Sequence, residues 1–239
     1  MKPEVAKQLL ELNHQFYQTF AEEFSLTRQR IQPGVERILE TLPPRARLLD
    51  LGCGNGALAE RLSQRGHTGA YLGLDISEKL IKIAKGLKLS KAKFIQGDLA
   101  NPDWDDKRIK PPFDFIFCFA VMHHIPGTDL RIRFLEKARD LLAPDGRFIH
   151  SNWQFLDSGR LRARIQPWAR IGLADTDVDE GDYLLDWRRG GEGVRYVHYF
   201  TSSELHSLAA KTGFQVGGLF TSDGEGGRLG LYQIWEASG

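Results

Sequence analysis

Short apolar runs of strand length alternate with longer segments of helical period from residue 46 onward. Five apolar runs predict buried strands, at residues 46–52, 69–75, 92–98, 113–121 and 147–153. Segments whose apolar residues recur every three or four positions predict helices at 56–66, 77–89 and 129–146, the second of them capped by Ser77. This alternation is typical of an α/β fold with a doubly wound, mostly parallel sheet and helices on both faces.

The alternation stops after residue 153 and resumes near residue 201. Residues 154–198 are richer in Arg, Asp and Gly, and we interpret them as an insertion over the sheet in which residues 160–173 form a helix. A further helix is predicted at 201–213, with Thr201 or Ser202 as its N-cap. Two antiparallel strands at 214–220 and 229–236 then complete a seven-stranded sheet.

The length and composition of the chain predict a single domain. Its 239 residues, 41% of them hydrophobic, suffice for one sizeable core, and no repeat, low-complexity tract or linker marks a second. We therefore treat residues 1–239 as a single domain with a helical N-terminal segment, residues 1–45, and the insertion at 154–198.

Charge and cysteine content narrow the classes of partner. The 32 basic and 31 acidic residues give a net charge of +1, so any site for a polyanion must be local. No apolar run approaches the roughly 20 residues of a membrane helix, and the N-terminus lacks the apolar core of a signal peptide. Cys53 and Cys118 are too few for a disulfide scaffold. We expect a soluble protein of the cytoplasm that does not bind membranes.

The loop after the first strand, "DLGCGNG", is the first candidate for chemistry. Gly52, Gly54 and Gly56 alternate, whereas the dinucleotide fingerprint spaces its glycines G-x-G-x-x-G. A glycine-rich turn at this point lets a ligand approach the backbone and the start of the next helix. Asp50 is a poor neighbour for a pyrophosphate and suits a cationic ligand better.

Acidic residues also end the second and third strands. Asp75 is placed to accept the hydroxyls of a ribose, and Asp98 to accept a hydrogen bond from an adenine amino group. The feature at Asp75 occurs in nicotinamide sites and in S-adenosylmethionine sites, so by itself it leaves the cofactor open.

Four motifs together, "DLGCGNG", "LGLD", "QGD" and "FDFIFCFAVMHH", resemble the class I S-adenosylmethionine-dependent methyltransferases in order and separation. The resemblance implies a Rossmann-like methyltransferase fold and S-adenosylmethionine as cofactor. The residues that it assigns to the cofactor are Arg28, Asp50, Gly52, Cys53, Gly54, Gly56, Asp75, Ile76, Asp98, Leu99 and Ala120.

A narrower resemblance extends over nearly the whole chain. The segments "FYQTFAEEFSLTRQRIQPGVERIL", "AVMHHIPGTDLRIRF", "NWQF" and "DYLLDWRRGGEGVRYVHYF" are similar to the methyltransferases that esterify 5-carboxymethyluridine at the wobble position of tRNA. It implies tRNA as partner, and eukaryotic members of that family also work with a small zinc-bearing activator subunit that pairs with the sheet. "KAKFIQGD", residues 91–98, is the strand for such a partner if it lies at an edge.

The same resemblance suggests residues for the acceptor side. Arg195 is a candidate anchor for a carboxylate or phosphate, and His124 a candidate at the acceptor pocket. Arg28 is expected to hold the methionine carboxylate of the cofactor. The residues expected to contact the acceptor are Trp153, Trp187, Arg195, Tyr196 and His198. His123 and His124 lack a third ligand at suitable spacing, so we expect no metal site.

The chemistry implied is simple, because a carboxylate is ionised at neutral pH and needs no general base to accept a methyl group. Arginines in residues 159–170 and 187–195 favour an RNA acceptor, although the sequence departs from the family at "LLDW" and in the acidic "DTDVDEGD". The alternatives are a methyltransferase of a small metabolite with residues 154–198 as a lid, a cofactor-binding partner without catalysis, and a nicotinamide-dependent oxidoreductase.

Overall fold

A computed structural model describes residues 1–27, 30–101, 103–105 and 107–237. Eight α-helices lie in this part of the chain: α1 (Pro3–Thr19), α2 (Ala21–Thr27), α3 (Pro33–Leu39), α4 (Ala57–Gln64), α5 (Glu78–Gly86), α6 (Thr128–Asp140), α7 (Gly159–Arg162) and α8 (Ser202–Lys211). The first three form the helical N-terminal segment. Ser77 caps α5 by accepting a hydrogen bond from Leu80 N, and Thr201 caps α8 by accepting one from Glu204 N.

Ten strands make up two sheets in the described residues: β1 (Leu48–Leu51), β2 (Tyr71–Asp75), β3 (Ala92–Gln96), β4 (Phe113–Phe119), β5 (Leu142–Trp153), β6 (Ile165–Gln166), β7 (Asp182–Trp187), β8 (Gly193–His198), β9 (Phe214–Ser222) and β10 (Gly230–Ala237). The large sheet has seven strands in the order β3-β2-β1-β4-β5-β10-β9. Its pairs are parallel up to β5, and β10 runs antiparallel to both β5 and β9. The predicted fold class is confirmed.

Helices cover both faces of the large sheet because successive strand residues point to opposite sides. Leu49 packs in a core with residues of α6 and α8, whereas its neighbour Leu48 packs with residues of α3, α4 and α5. Both leucines are fully buried. The two cores fix the sheet rigidly, so the loops at the carboxyl ends of its strands are held in defined positions.

The insertion forms a small antiparallel sheet, in the order β6-β7-β8. The helix predicted at residues 160–173 is wrong: α7 ends at Arg162, and β6 follows and pairs Ile165 with Leu185. Pro167 explains the difference, because proline lacks a backbone N–H and disfavours helical geometry in the residue before it. Helix α1 packs Val5 and Leu9 against Leu184 and Tyr196 of this sheet.

Two of the edge strands, one in each sheet, have different surroundings. β8 is an edge of the small sheet and lies against α1. β3 is an edge of the large sheet, as the use of residues 91–98 by a pairing partner requires. Within the described ranges, no helix combines the length and the apolar character needed to cross a bilayer.

Candidate functional site

A cavity of about 300 Å³ lies where the carboxyl ends of β1, β2, β4 and β5 meet α1. This position is the usual ligand site of open α/β sheets, and its volume is at the lower end of the range for small-molecule pockets. Nine of the eleven residues that the sequence assigned to the cofactor line it: Asp50, Gly52, Cys53, Gly54, Asp75, Ile76, Asp98, Leu99 and Ala120.

The glycine loop has left-handed backbone geometry at each glycine. Gly52, Gly54 and Gly56 have φ values of 82°, 54° and 82°. A Cβ on Gly52 would lie 2.2 Å from Cγ2 of Val121, whereas a Cβ on Gly54 would meet no atom within 4 Å. The first glycine therefore permits close packing against the end of β4, and the second leaves open space beside the backbone.

Among the assigned residues that the structure describes, Gly56 is the one that is not part of the cavity wall. Gly56 is the N-cap of α4, and a Cβ there would meet Ala84 and Leu87 at 3.0 Å, so this glycine serves helix packing. Arg28 lies outside the described residues. Arg30, two positions further on, lines the cavity.

Asp75 ties the glycine loop to β2. Its Oδ2 accepts a hydrogen bond from Gly54 N and its Oδ1 one from Ser77 N, each at 2.9 Å. Burial raises the pKa of this carboxyl, and the two backbone hydrogen bonds oppose that rise. Each oxygen keeps a second lone pair, so Asp75 can still accept hydrogen bonds from ligand hydroxyls.

Asp50 is nearly inaccessible to solvent and accepts a hydrogen bond from the Tyr71 hydroxyl. Burial raises the pKa of the Asp50 carboxyl to about 7, the Tyr71 hydrogen bond lowers it, and the charge of Asp75 raises it. A cationic ligand in the cavity would stabilise the ionised form of this carboxyl.

The end of the cavity beside α1 contains the candidate acceptor residues His124 and Trp153. Arg195 lies behind this wall, 4% exposed, with its Cζ 4.5 Å from the centroid of the Trp153 ring. Phe16 and Trp187 enclose the guanidinium on other sides, at 5.3 and 5.6 Å. Burial lowers the pKa of Arg195, and the nearby Tyr17 side chain raises it.

Among the described residues, Arg195 has no carboxylate partner. Within the described part of the chain no ion pair involves its guanidinium, and its Nε atom has no hydrogen-bond partner. A buried cation without a counter-charge is unfavourable, and it is a strong binding group for an anion that enters the neighbouring cavity.

His124 is held by hydrogen bonds at both ring nitrogens. Its Nε2 is 2.7 Å from the Tyr17 hydroxyl, and its Nδ1 is 3.0 Å from the carbonyl oxygen of Tyr196. The adjacent ring of His123 is buried and lies nearly parallel to Trp153. The two imidazole rings are 4.3 Å apart, and no cluster of three or more metal-ligating side chains occurs in the described ranges.

Tyr196, His198 and Trp187 are not part of the cavity wall, which differs from their expected place beside the acceptor. The Tyr196 hydroxyl donates to Asp182 at 2.7 Å, and His198 lies between Asp182 and Glu204. Because β8 alternates, these side chains share the face opposite to Arg195 and point into the protein. Trp187 packs on Phe16 and donates from Nε1 to the carbonyl of Arg189.

Helix α1 supplies cavity residues that the sequence interpretation missed. Leu10, Asn13 and Tyr17 all line the cavity. Their spacing of three and four positions places them on one helix face, and a polar residue pair on that face was the available signal. On the opposite side, Asp223 and Tyr232 from the β9–β10 region also line the cavity and share a hydrogen bond.

Comparisons with known proteins give the family. A family model described as a methyltransferase domain matches residues 22–217. The tRNA (carboxymethyluridine(34)-5-O)-methyltransferase of Schizosaccharomyces pombe is 31% identical over 215 residues, which cover 84% of this chain and 87% of the relative. A ubiquinone biosynthesis O-methyltransferase of Thiobacillus denitrificans is also 31% identical, over 89% of this chain and 82% of the relative.

Solved structures agree with the fold. A DhpI complex with S-adenosylmethionine has a TM-score of 0.68 and 22% identity, over 95% of this chain and 97% of that one. An S-adenosylmethionine-dependent methyltransferase from Clostridium acetobutylicum has a TM-score of 0.65 and 16% identity, over 94% and 100% of the two chains. The protein therefore belongs to the methyltransferase family and has the fold of its S-adenosylmethionine-dependent members.

Proposed function

We propose that this protein transfers a methyl group from S-adenosylmethionine to the carboxylate of a modified uridine in tRNA, with 5-carboxymethyluridine at the wobble position as acceptor. The observation that carries the proposal is Arg195, a buried guanidinium with no carboxylate partner in the described part of the chain, directly behind the cavity wall formed by Trp153 and Tyr17. Its planar fork suits two-point binding of a carboxylate. The name and coverage of the fission yeast relative support the same acceptor.

The cavity fits the cofactor. Asp50 is a buried carboxyl suited to a cationic group, Gly54 leaves room beside the backbone, and Asp75 can accept ribose hydroxyls. Asp98 and Leu99 line the part of the cavity beyond β3 and suit an adenine. S-adenosylmethionine, when bound, supplies an electrophilic methyl group on a sulfonium.

The protein's own contribution to transfer is positioning and electrostatics. A carboxylate acceptor is already ionised at neutral pH, so no residue needs to remove a proton from it. From behind the wall, the positive charge of Arg195 would attract the acceptor carboxylate, while the aromatic groups around Arg195 exclude water and strengthen that attraction. Tyr17 and His124 shape the wall beside it.

The similarity to an O-methyltransferase of ubiquinone biosynthesis makes a hydroxyl group the competing acceptor. A hydroxyl must lose a proton during methylation, which requires a base near the transferred methyl group. His124 lies at that end of the cavity, but Tyr17 and the carbonyl of Tyr196 occupy both of its ring nitrogens. This occupation favours a carboxylate.

Two arginines of the insertion support RNA as the partner. Asp186 accepts hydrogen bonds from Nε of Arg164 at 2.8 Å and Nε of Arg188 at 2.6 Å. Bonds at Nε leave the terminal nitrogens of each guanidinium for an external anion such as an RNA phosphate. The β7–β8 turn that follows Arg188 packs against Phe20 and Glu23, close to the α1 and α2 residues of the cavity wall.

The test starts with tRNA treated with mild base, which hydrolyses wobble methyl esters to free carboxylates. This tRNA is incubated with the protein and S-adenosylmethionine labelled on the methyl group, and the nucleosides are examined by mass spectrometry. We expect a labelled methyl ester of 5-carboxymethyluridine that is lost with Arg195→Ala and kept with Arg45→Ala, a change at an exposed arginine that precedes β1.

A different result would support the competing hydroxyl acceptor. If tRNA takes up no label, with or without a small activator subunit that pairs with β3, while a phenolic acceptor is methylated, the tRNA proposal is wrong and a hydroxyl methyltransferase replaces it. Binding of S-adenosylmethionine measured on the same samples shows that the protein is folded in either case.

A further inference from the structure

Half of the lysines of this chain lie within one short stretch. Six of the twelve lysines fall in residues 79–93, and these residues include no Asp or Glu. The stretch covers most of α5, the turn after it and the start of β3. It contributes +6 to a chain whose net charge is +1, so the other residues together carry −5. Residues 79–93 are therefore a strongly basic region of a nearly neutral protein.

Helix α5 presents its lysines to solvent because its other face is buried. The buried residues of the helix are Leu80, Ile81 and Ala84. Lys79, Lys82 and Lys85 recur every third position and are exposed, which places them on the outer face of α5 over a length of about 9 Å. The lysines that follow the helix are exposed as well, at positions 88, 91 and 93.

These six ammonium groups are not neutralised by neighbouring carboxylates of the described chain. Among the described lysines, Lys137 is the one in an ion pair, with Asp105. Glu78 is the acidic residue next to the stretch, and it lies in the first turn of α5, where the helix dipole stabilises a negative charge. Like charges at this density repel one another, and a polyanion that lies against them relieves the repulsion.

The basic region begins at the rim of the cavity and leads away from it. Asp75 and Ile76, just before α5, line the cavity, and so does Leu80, the neighbour of Lys79. Because β2 and β3 are parallel, α5 runs from the carboxyl end of β2 back to the amino end of β3. Each later lysine of α5 thus lies further from the cavity. A ligand that contacts several of them must be much longer than one nucleoside.

We propose that Lys79, Lys82, Lys85 and Lys88 form a lysine surface that binds the phosphate backbone of the RNA whose modified uridine enters the cavity. This inference rests on the proposed function for the identity of the RNA, but not for the charge of the surface. Lysine binds phosphate as a point charge, which suits contacts to a backbone of any sequence. Ile83 is the one exposed apolar residue of α5, so the helix lacks the continuous apolar face that membrane binding requires.

The test compares two triple variants that lose the same charge. The first, Lys79→Gln/Lys82→Gln/Lys85→Gln, changes the lysine surface. The second, Lys107→Gln/Lys110→Gln/Lys211→Gln, changes exposed lysines that do not line the cavity. Binding of base-treated tRNA is measured by fluorescence anisotropy at several salt concentrations. For the first variant we expect at least about tenfold weaker binding in about 0.1 M salt, and a slope of log affinity against log salt concentration that is lower by about two to three. The second should match wild type, and equal affinity and slope in the two variants would overturn the proposal.

A second measurement separates this proposal from the proposed function. Methylation of the free nucleoside 5-carboxymethyluridine, which has no phosphate, should be equal in wild type and both variants, and a loss in the first variant would contradict a role in backbone binding. If the first variant alone loses tRNA affinity and slope while wild type methylates no tRNA, the lysine surface stands and the proposed function fails. If the first variant keeps the tRNA affinity of wild type but no longer binds an acidic protein subunit, the surface belongs to that subunit and the proposal fails.

Discussion

Tyr71 donates a hydrogen bond from its hydroxyl to Oδ2 of Asp50 beneath the cavity floor. Tyr71 lies opposite Leu48 in the parallel pairing of β1 and β2, and Asp50, two residues after Leu48, points to the same face of the sheet. The hydrogen bond partly offsets the burial that raises the pKa of Asp50 to about 7. Asp50 is therefore poised to ionise when a cation binds.

Binding of S-adenosylmethionine should consequently strengthen as the pH rises through about 7. A protonated Asp50 offers no charge to a cationic ligand, whereas an ionised one attracts it, so the dissociation constant should fall between about pH 6 and about pH 8. Tyr71→Phe removes a contact that lowers the pKa of Asp50, and the midpoint should move to higher pH. Calorimetry across this range measures both. An affinity that is independent of pH in wild type would show that Asp50 keeps one protonation state.

Alanine substitutions at Gly52 and Gly54 should have different effects, the first mainly on the stability of the fold and the second mainly on cofactor binding. Gly52→Ala places a Cβ 2.2 Å from Val121 in a left-handed conformation, and should destabilise the fold by about 2–4 kcal/mol. Gly54→Ala has open space and should lose only about 1 kcal/mol, but its methyl group should weaken cofactor binding. Thermal unfolding and cofactor titration of both variants test this. Equal loss of stability in the two would contradict it.

The mostly parallel α/β fold and most of the residues that line the cavity could be predicted because local patterns indicate them. Apolar runs such as residues 48–51 are buried on both faces, and Asp50, Asp75 and Asp98 sit at strand ends, where parallel topology brings them together. Gly56 was assigned to the cofactor from its spacing, yet its surroundings, α5 and Phe94, are remote in sequence.

The positions of the candidate acceptor residues could not be predicted from local sequence patterns in this way. Tyr196 and His198 alternate as expected for a strand, but alternation does not tell which face of β8 meets the cavity. Arg131, 65 residues away from Tyr196 in the chain, determines it by drawing the Tyr196 hydroxyl into a buried ionic network. Likewise Tyr17 reaches His124 across 107 positions, and no local pattern carries that contact.

Arg131 should be essential for stability because it joins the small sheet to the main core. Its terminal nitrogens bind the Tyr196 hydroxyl at 2.9 Å and lie 3.6 Å from Asp182, and Nε donates to the Ile125 carbonyl. Arg131→Met leaves Asp182 buried without this cation and should destabilise the protein by about 3–5 kcal/mol. Denaturant unfolding measures the loss.

Arg133 provides the control for that experiment, since it is exposed on the same helix. Arg133→Met should change the free energy of unfolding by less than about 0.5 kcal/mol. If both methionine variants were equally stable, the ionic network would not be what holds β7 and β8 against the core.

The arginine pair on Asp186 should determine how tRNA binding depends on salt. Arg188 is 70% exposed, and only its Nε is committed to Asp186, so its terminal nitrogens can bind a phosphate. Each phosphate contact adds about one unit to the slope of log affinity against log salt concentration. Arg188→Ala should therefore weaken tRNA binding and reduce that slope by about one, as measured by filter binding at several salt concentrations.

Arg45→Ala is the matched change for this prediction, because Arg45 is exposed and precedes β1, at the end of the sheet opposite to the cavity. It should leave both the affinity and the slope unchanged. Methylation of the free nucleoside 5-carboxymethyluridine should be equal in wild type and Arg188→Ala if Arg188 only binds the RNA backbone. A slope that Arg45→Ala lowers as much as Arg188→Ala would instead indicate diffuse attraction by the whole surface.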